Sequence, residues 1–166
     1  MAEGSKPQST QPDEHSQQAR EESGEINRSP GCIFCRIIAK EEPAKIVYED
    51  QDYVSFQDHS PSATHHYLIM PKNHIRDPKA LTGEHLQMVE RMAEIGKQVL
   101  VDQGGSVEES RMGFHWPPLT LVKHLHLHVI SPESSMGWFS RNVVFRVDSF
   151  AFVSHGWMVE HLRTCT

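Results

Sequence analysis

His124-Leu125-His126-Leu127-His128-Val129-Ile130 is the stretch on which the fold and chemistry of this chain turn. Imidazoles and apolar side chains alternate through it, and a strand places successive side chains on opposite faces. The pattern predicts a strand over 124–130 with three imidazoles on one face and Leu125, Leu127 and Val129 on the other. The apolar face would anchor on a core, and the imidazole face would line a cleft. Two chemistries want this spacing. Neutral imidazoles at alternate positions can converge on one metal ion, most often zinc. Alternatively, one imidazole is a nucleophile while its neighbours orient it and handle charge. Imidazole suits attack on phosphorus because an ordinary pKa of about 6.5 leaves it largely neutral near pH 7. Spacing alone leaves both open.

Outward from that strand the chain alternates short elements. Arg111 to His115 predicts the preceding strand. Thr82 to about Gln103 is helical in pattern: Leu86, Val89, Met92, Gly96 and Val99 fall on one face, Thr82 can cap the start, and Gly104-Gly105 ends it. His66 to Met70, stopped by Pro71, predicts a strand. Ile46-Val47-Tyr48 and Tyr53 to Phe56 flank the polar Glu49-Asp50-Gln51-Asp52, a hairpin signature. Cys32 to Ala39 suits a short helix, Val143 to Val147 a further strand, and His155 to Arg163 a closing helix. Strands outnumber helices and come as hairpins. The expected class is therefore α+β, an antiparallel sheet with one long helix and short ones.

Composition bounds the rest. The chain has 166 residues with 12 histidines, 3 cysteines and a net charge of -6. An acidic balance argues against a partner in duplex nucleic acid. No run reaches the roughly 18 apolar residues of a membrane helix. The start has no apolar stretch of a secretory signal, and three cysteines make no disulfide framework, so a reducing compartment, the cytoplasm and also the nucleus, is expected. Residues 1–30 carry only Met1, Ala2, Ala19 and Ile26 as apolar side chains. Such a segment cannot bury enough surface to offset its ordering entropy, so a disordered tail 1–30 and one folded domain 31–166 are expected.

His124 to Ile130 fits in full the His-x-His-x-His-apolar-apolar signature of the histidine triad family. The chain also resembles that family's nucleotide-binding branch in Cys32 to Ile38, Glu42-Pro43-Ala44-Lys45, Tyr48-Glu49-Asp50, Phe56-Gln57-Asp58, Pro61 and His66 to Ile75, in that order. The resemblance implies a hydrolase of nucleoside 5′-phosphoramidates and acyl-adenylates such as aminoacyl-AMP, working without metal or other cofactor. His126 would attack the α-phosphorus and form a nucleotidyl-histidine. His124 would hold His126 in the right tautomer, His128 would sit beside the phosphate or leaving amine, and His66 would complete a relay behind them. Asp58 would take the ribose hydroxyls, and Ile33, Phe34, Phe56, His59 and Leu68 would enclose the base. The partner would be a small nucleotide, and two copies would pair symmetrically through the helix near Thr82 and the strand 111–115. The alternatives are a metal-dependent hydrolase using the three histidines as ligands and a non-enzymatic nucleotide-binding scaffold.

Three departures stand out. Leu121 occupies the position where the family usually has Ser or Thr three residues before the first triad histidine, and a hydroxyl restored there is expected to speed turnover. Lys123 precedes the triad, and Trp116-Pro117-Pro118 replaces a Gly-rich turn. Separately, Cys32-x-x-Cys35 resembles half of a structural zinc site found in some members, with His66 and His124 as its candidate partners; the expectation is that no metal binds.

Overall fold

The structure is a computed structural model that describes residues 25–165. The expected leader lies outside the described residues as far as residue 24. Its last six residues are described, and Asn27 is tied to the body: its backbone N–H donates to Asn73 at 2.9 Å, and its carbonyl accepts from the His74 N–H at 2.9 Å.

Six antiparallel strands form one sheet in the order β1-β2-β3-β5-β4-β6. They are β1 (Ile46–Glu49), β2 (Tyr53–Gln57), β3 (His65–Pro71), β4 (Arg111–His115), β5 (Leu127–Ser131) and β6 (Phe152–Ser154). Helix α1 spans Ile33–Ile38, α2 spans Leu86–Asp102 and α3 spans His155–Thr164. The α+β architecture matches expectation. The first turn expected of α2 is instead a 3-10 turn at Gly83–His85, where the Thr82 backbone N–H donates to His85 Nδ1 at 3.0 Å.

Period two sorts the sheet residues onto two faces. Tyr67, Ile69, Leu127 and Val129 pack against α2 through Val89, Met92, Ile95 and Val99 in the main core. Val54, Phe56, Leu68 and Met70 face the other way and pack with Phe34, Cys35, Ile37 and Ile38 of α1. α2 lies close on the sheet: a Cβ on Gly96 would meet Val129 Cγ2 at 2.7 Å.

The run 143–147 is not a strand. Ser140–Val144 forms a π-helical turn, and Phe145 is buried with Ile130, Met136 and Phe152. Its apolar residues serve a separate small core and not a period-two face. β6 then returns along β4, pairing Gly113 with Ser154 and His115 with Phe152. A Cβ on Gly113 would lie 2.6 Å from the Phe152 ring, so the strands approach only because that residue is Gly. Met158 and Leu162 of α3 join the core beside α2. Of the two elements expected to pair two copies, β4 is paired on both edges within the chain, while α2 keeps an exposed face through Gln87, Arg91, Glu94 and Lys97.

Candidate active site

Only His128 of the three triad histidines lies within a regular strand. β5 begins at Leu127, and residues 121–126 form a non-strand lead-in. The expected alternation nevertheless survives, with Leu125, Leu127 and Val129 in the main core and the imidazoles on the α1 side.

Hydrogen bonds fix the protonation pattern of this face. The Ser62 backbone N–H donates to His66 Nδ1 at 3.1 Å, so the His66 proton is on Nε2. That Nε2–H donates to His128 Nδ1 at 3.0 Å. His128 therefore carries its own proton on Nε2, a buried atom with no acceptor among the described residues. His126 Nδ1–H donates to the His124 carbonyl at 2.6 Å, which leaves the His126 Nε2 lone pair free. His126 is half-buried, with the Phe34 ring edge-on at 5.2 Å and His128 at 4.8 Å between centroids. His124 thus holds the tautomer of His126, and it does so through its carbonyl.

Burial sets the charge state. It pushes His66, His124 and His126 down to about 4, and His128 well below the ordinary imidazole range. Near pH 7 the cluster is neutral, as a nitrogen nucleophile requires.

The remaining expected residues divide. Phe34, Phe56 and Leu68 share one buried cluster beside His126, with Ile33 at its margin, 39% exposed. Asp58 accepts from the Ser60 N–H at 2.9 Å, and its other carboxylate oxygen stands 3.5 Å from His66 Nε2. The side chain of His59 is 95% exposed and encloses nothing. Leu121 is 99% exposed in a lead-in that bends through 121–124, and it is not among the residues lining the recess of His126. Thr120 instead lines the cleft shared by His126, Arg76 and His115. His115 itself was missed: its role depends on a strand register that the sequence does not display.

A second cluster adjoins the first. Cys32, Cys35, His74 and His124 bring four ligand atoms within 4.8 Å of one another. Cys32 Sγ and Cys35 Sγ each lie 3.5 Å from His124 Nδ1, Cys35 Sγ lies 3.4 Å from His74 Nδ1, and the two Nδ1 atoms are 3.3 Å apart. Zinc–sulfur bonds of about 2.3 Å and zinc–nitrogen bonds of about 2.0–2.1 Å at tetrahedral angles require nitrogen–nitrogen edges of about 3.3 Å and sulfur–nitrogen edges of about 3.6 Å, so the donor set fits that ion. His124 Nε2–H donates to the Pro71 carbonyl at 2.9 Å, the outer hydrogen bond that orients a ligating imidazole. His74, not His66, completes this set, since His66 is committed to His128. The three triad imidazoles do not form one metal group: His124 belongs here, while His128 groups with Asp58 and His66.

An antiparallel sheet carrying this histidine run over a buried His66–His128 pair defines a histidine triad protein. The chain belongs to the family described as scavenger mRNA decapping enzyme C-terminal binding, which matches residues 31–144. It is 42% identical over 134 residues to adenosine 5′-monophosphoramidase HINT3 of Xenopus tropicalis, covering 80% of this chain and 87% of that protein. It is 39% identical over 100 residues to a bifunctional adenosine 5′-phosphosulfate phosphorylase/adenylylsulfatase, HINT4, of Arabidopsis thaliana, covering 58% and 67%. Among solved structures, a HIT family hydrolase from Clostridium thermocellum superposes with a TM-score of 0.59 at 30% identity, over 62% of this chain and 91% of that one.

Proposed function

We propose that the protein hydrolyses nucleoside 5′-phosphoramidates and acyl-adenylates through a nucleotidyl-histidine, releasing AMP. The observation that carries this reading is the free Nε2 of His126, held by the Nδ1–H bond to the His124 carbonyl and flanked by the unpartnered Nε2–H of His128. His126 Nε2 attacks the α-phosphorus, and the bond to the leaving group breaks with its electron pair on the carboxylate oxygen of an acyl-adenylate or on the nitrogen of a phosphoramidate, which takes a proton from solvent water and departs as the neutral amine. His128 Nε2–H donates to a phosphate oxygen as charge develops there. Water then attacks the same phosphorus, and His126 departs as neutral imidazole. Phe34, Phe56, Leu68 and Ile33 take the base, and Asp58 the ribose. Identity to two relatives named for adenosine-phosphate chemistry supports the adenylyl class.

The test is one incubation with AMP phosphoramidate or lysyl-AMP labelled in the phosphate, quenched in alkaline denaturant to preserve a phosphorus–imidazole bond. Label on His126 supports the reading. AMP binding without label on the chain would leave the scaffold alternative standing.

The Cys32-Cys35-His74-His124 set is proposed to hold a structural zinc, which would tie α1 to the lead-in of β5 without entering the reaction. A second copy of the chain remains the partner implied by the resemblance. The exposed face of α2 is open to such pairing, and light scattering against the 18.9 kDa of one chain reads the outcome. Residence in the cytoplasm and nucleus is read by imaging a tagged chain. Among the described residues no helix is long and apolar enough to cross a membrane.

A further inference from the structure

We infer that His115 is the base that activates water in the second half of the reaction, a role resting on the nucleotidyl-His126 reading above. The antiparallel register pairs Arg111 with Ile130 and Gly113 with His128. His115 follows Gly113 by two residues in β4 and so shares the face of the sheet on which His128 lies. The His115 ring lies 4.7 Å from that of His128, which itself lies 4.8 Å from His126. His115, His126 and Thr120 line one narrow recess.

The tautomer of His115 is set by residues that follow the triad. Its Nδ1–H donates to the Ala151 carbonyl at 3.3 Å, the same oxygen that accepts from the Trp116 N–H at 2.8 Å. Phe145 and Phe152 pack on the ring at 5.0 and 5.2 Å. With the proton on Nδ1, Nε2 is left as an acceptor. Burial holds the ring below the ordinary imidazole range, so it is neutral near pH 7 and able to take a proton.

The bonds balance. His126 attacked with its Nδ1–H in place, so the adduct is an N-phosphoryl imidazolium. Water oxygen bonds to phosphorus, the phosphorus–Nε2 bond breaks, and His126 leaves neutral with its electron pair back on Nε2. The water proton goes to His115 Nε2. An acyl-adenylate needs no acid in the first half, because its leaving group departs as a carboxylate. That substrate therefore isolates the step assigned to His115.

The experiment is rapid-quench kinetics with phosphate-labelled lysyl-AMP on the full chain, comparing wild type, His115→Gln and His115→Asn. The expected result for either variant is adduct formation within about threefold of wild type, then adduct hydrolysis slowed about a hundredfold or more, as loss of a general base requires. Added free imidazole should restore part of the hydrolysis rate. Hydrolysis within about threefold of wild type in a variant that still binds AMP would overturn the assignment. So would formation and hydrolysis slowed equally in both variants. Absence of adduct in the wild type would instead overturn the nucleotidyl-histidine reading itself.

Discussion

Two imidazole clusters lie side by side on one face of this sheet, and they differ in what is left over. Both ring nitrogens of His124 are committed: Nε2 to the Pro71 carbonyl, Nδ1 toward Cys32, Cys35 and His74. Around His126 and His128, two nitrogens are free, an acceptor on one ring and a buried donor on the other. A saturated cluster has capacity only for a cation shared by its donors. An unsaturated one can receive a substrate. Residues two apart in the chain thus fall on opposite sides of a division between holding and reacting.

The largest effect should come from the reactive side. His126→Ala removes the only imidazole assigned to bond formation, so kcat should fall by more than about a thousandfold while AMP binding, read by calorimetry, persists. A smaller loss would merge the two clusters into one structural set. On the holding side, Cys35→Ser should release zinc and lower the thermal midpoint by about 10 °C, because a structural site contributes several kcal/mol to folding. Metal analysis should find about one zinc per wild-type chain, and turnover of the variant well below its midpoint should remain within about tenfold.

Acid should weaken the fold through its buried imidazoles. Burial holds His66 at about 4, below its ordinary 6.5. Between these values the unfolded chain binds a proton that the folded chain refuses, so stability is full above 6.5 and declines as pH falls toward 4, by up to about 1.4 kcal/mol per pH unit for this group. Urea midpoints at pH 7, 6 and 5 should show the decline, and His66→Asn should remove its share. The smallest effect should be that of Leu121→Ser. The sequence suggests a gain there, but a side chain pointing into solvent cannot reach the phosphate. Turnover should change less than twofold, whereas Thr120→Val, inside the cleft, should reduce it measurably.

Which features were visible in the sequence follows from the range of the forces involved. α2 and β5 are written in local periodicity, and packing merely shifted their ends by a few residues. The 143–147 segment misled because an apolar run at a turn looks like a short strand until Phe145 is seen to enter its own cluster. His126 and His128 were evident from the run itself. His66 was visible only through resemblance, since 62 residues separate it from His128. His74 and His115 acquire their places through strand register and loop closure, which no local pattern reports. The full exposure of Leu121 follows from the bend through 121–124, which no local pattern reports either.

The residues after the triad also govern how the molecule behaves in a crowded solution. β6 is three residues long and β1 four, so the sheet ends in short strands that offer little template to a neighbouring chain. Behind β6 lies β4, five residues with Phe114 fully buried. A protease nick between Val147 and Ala151 that freed β6 and α3 would uncover that strand's backbone and the apolar side of α2 at once. The clipped chain would then carry an adhesive edge, and its fate would be self-association or precipitation. The last strand and helix therefore close an edge of the sheet, a task separate from the chemistry of its histidines.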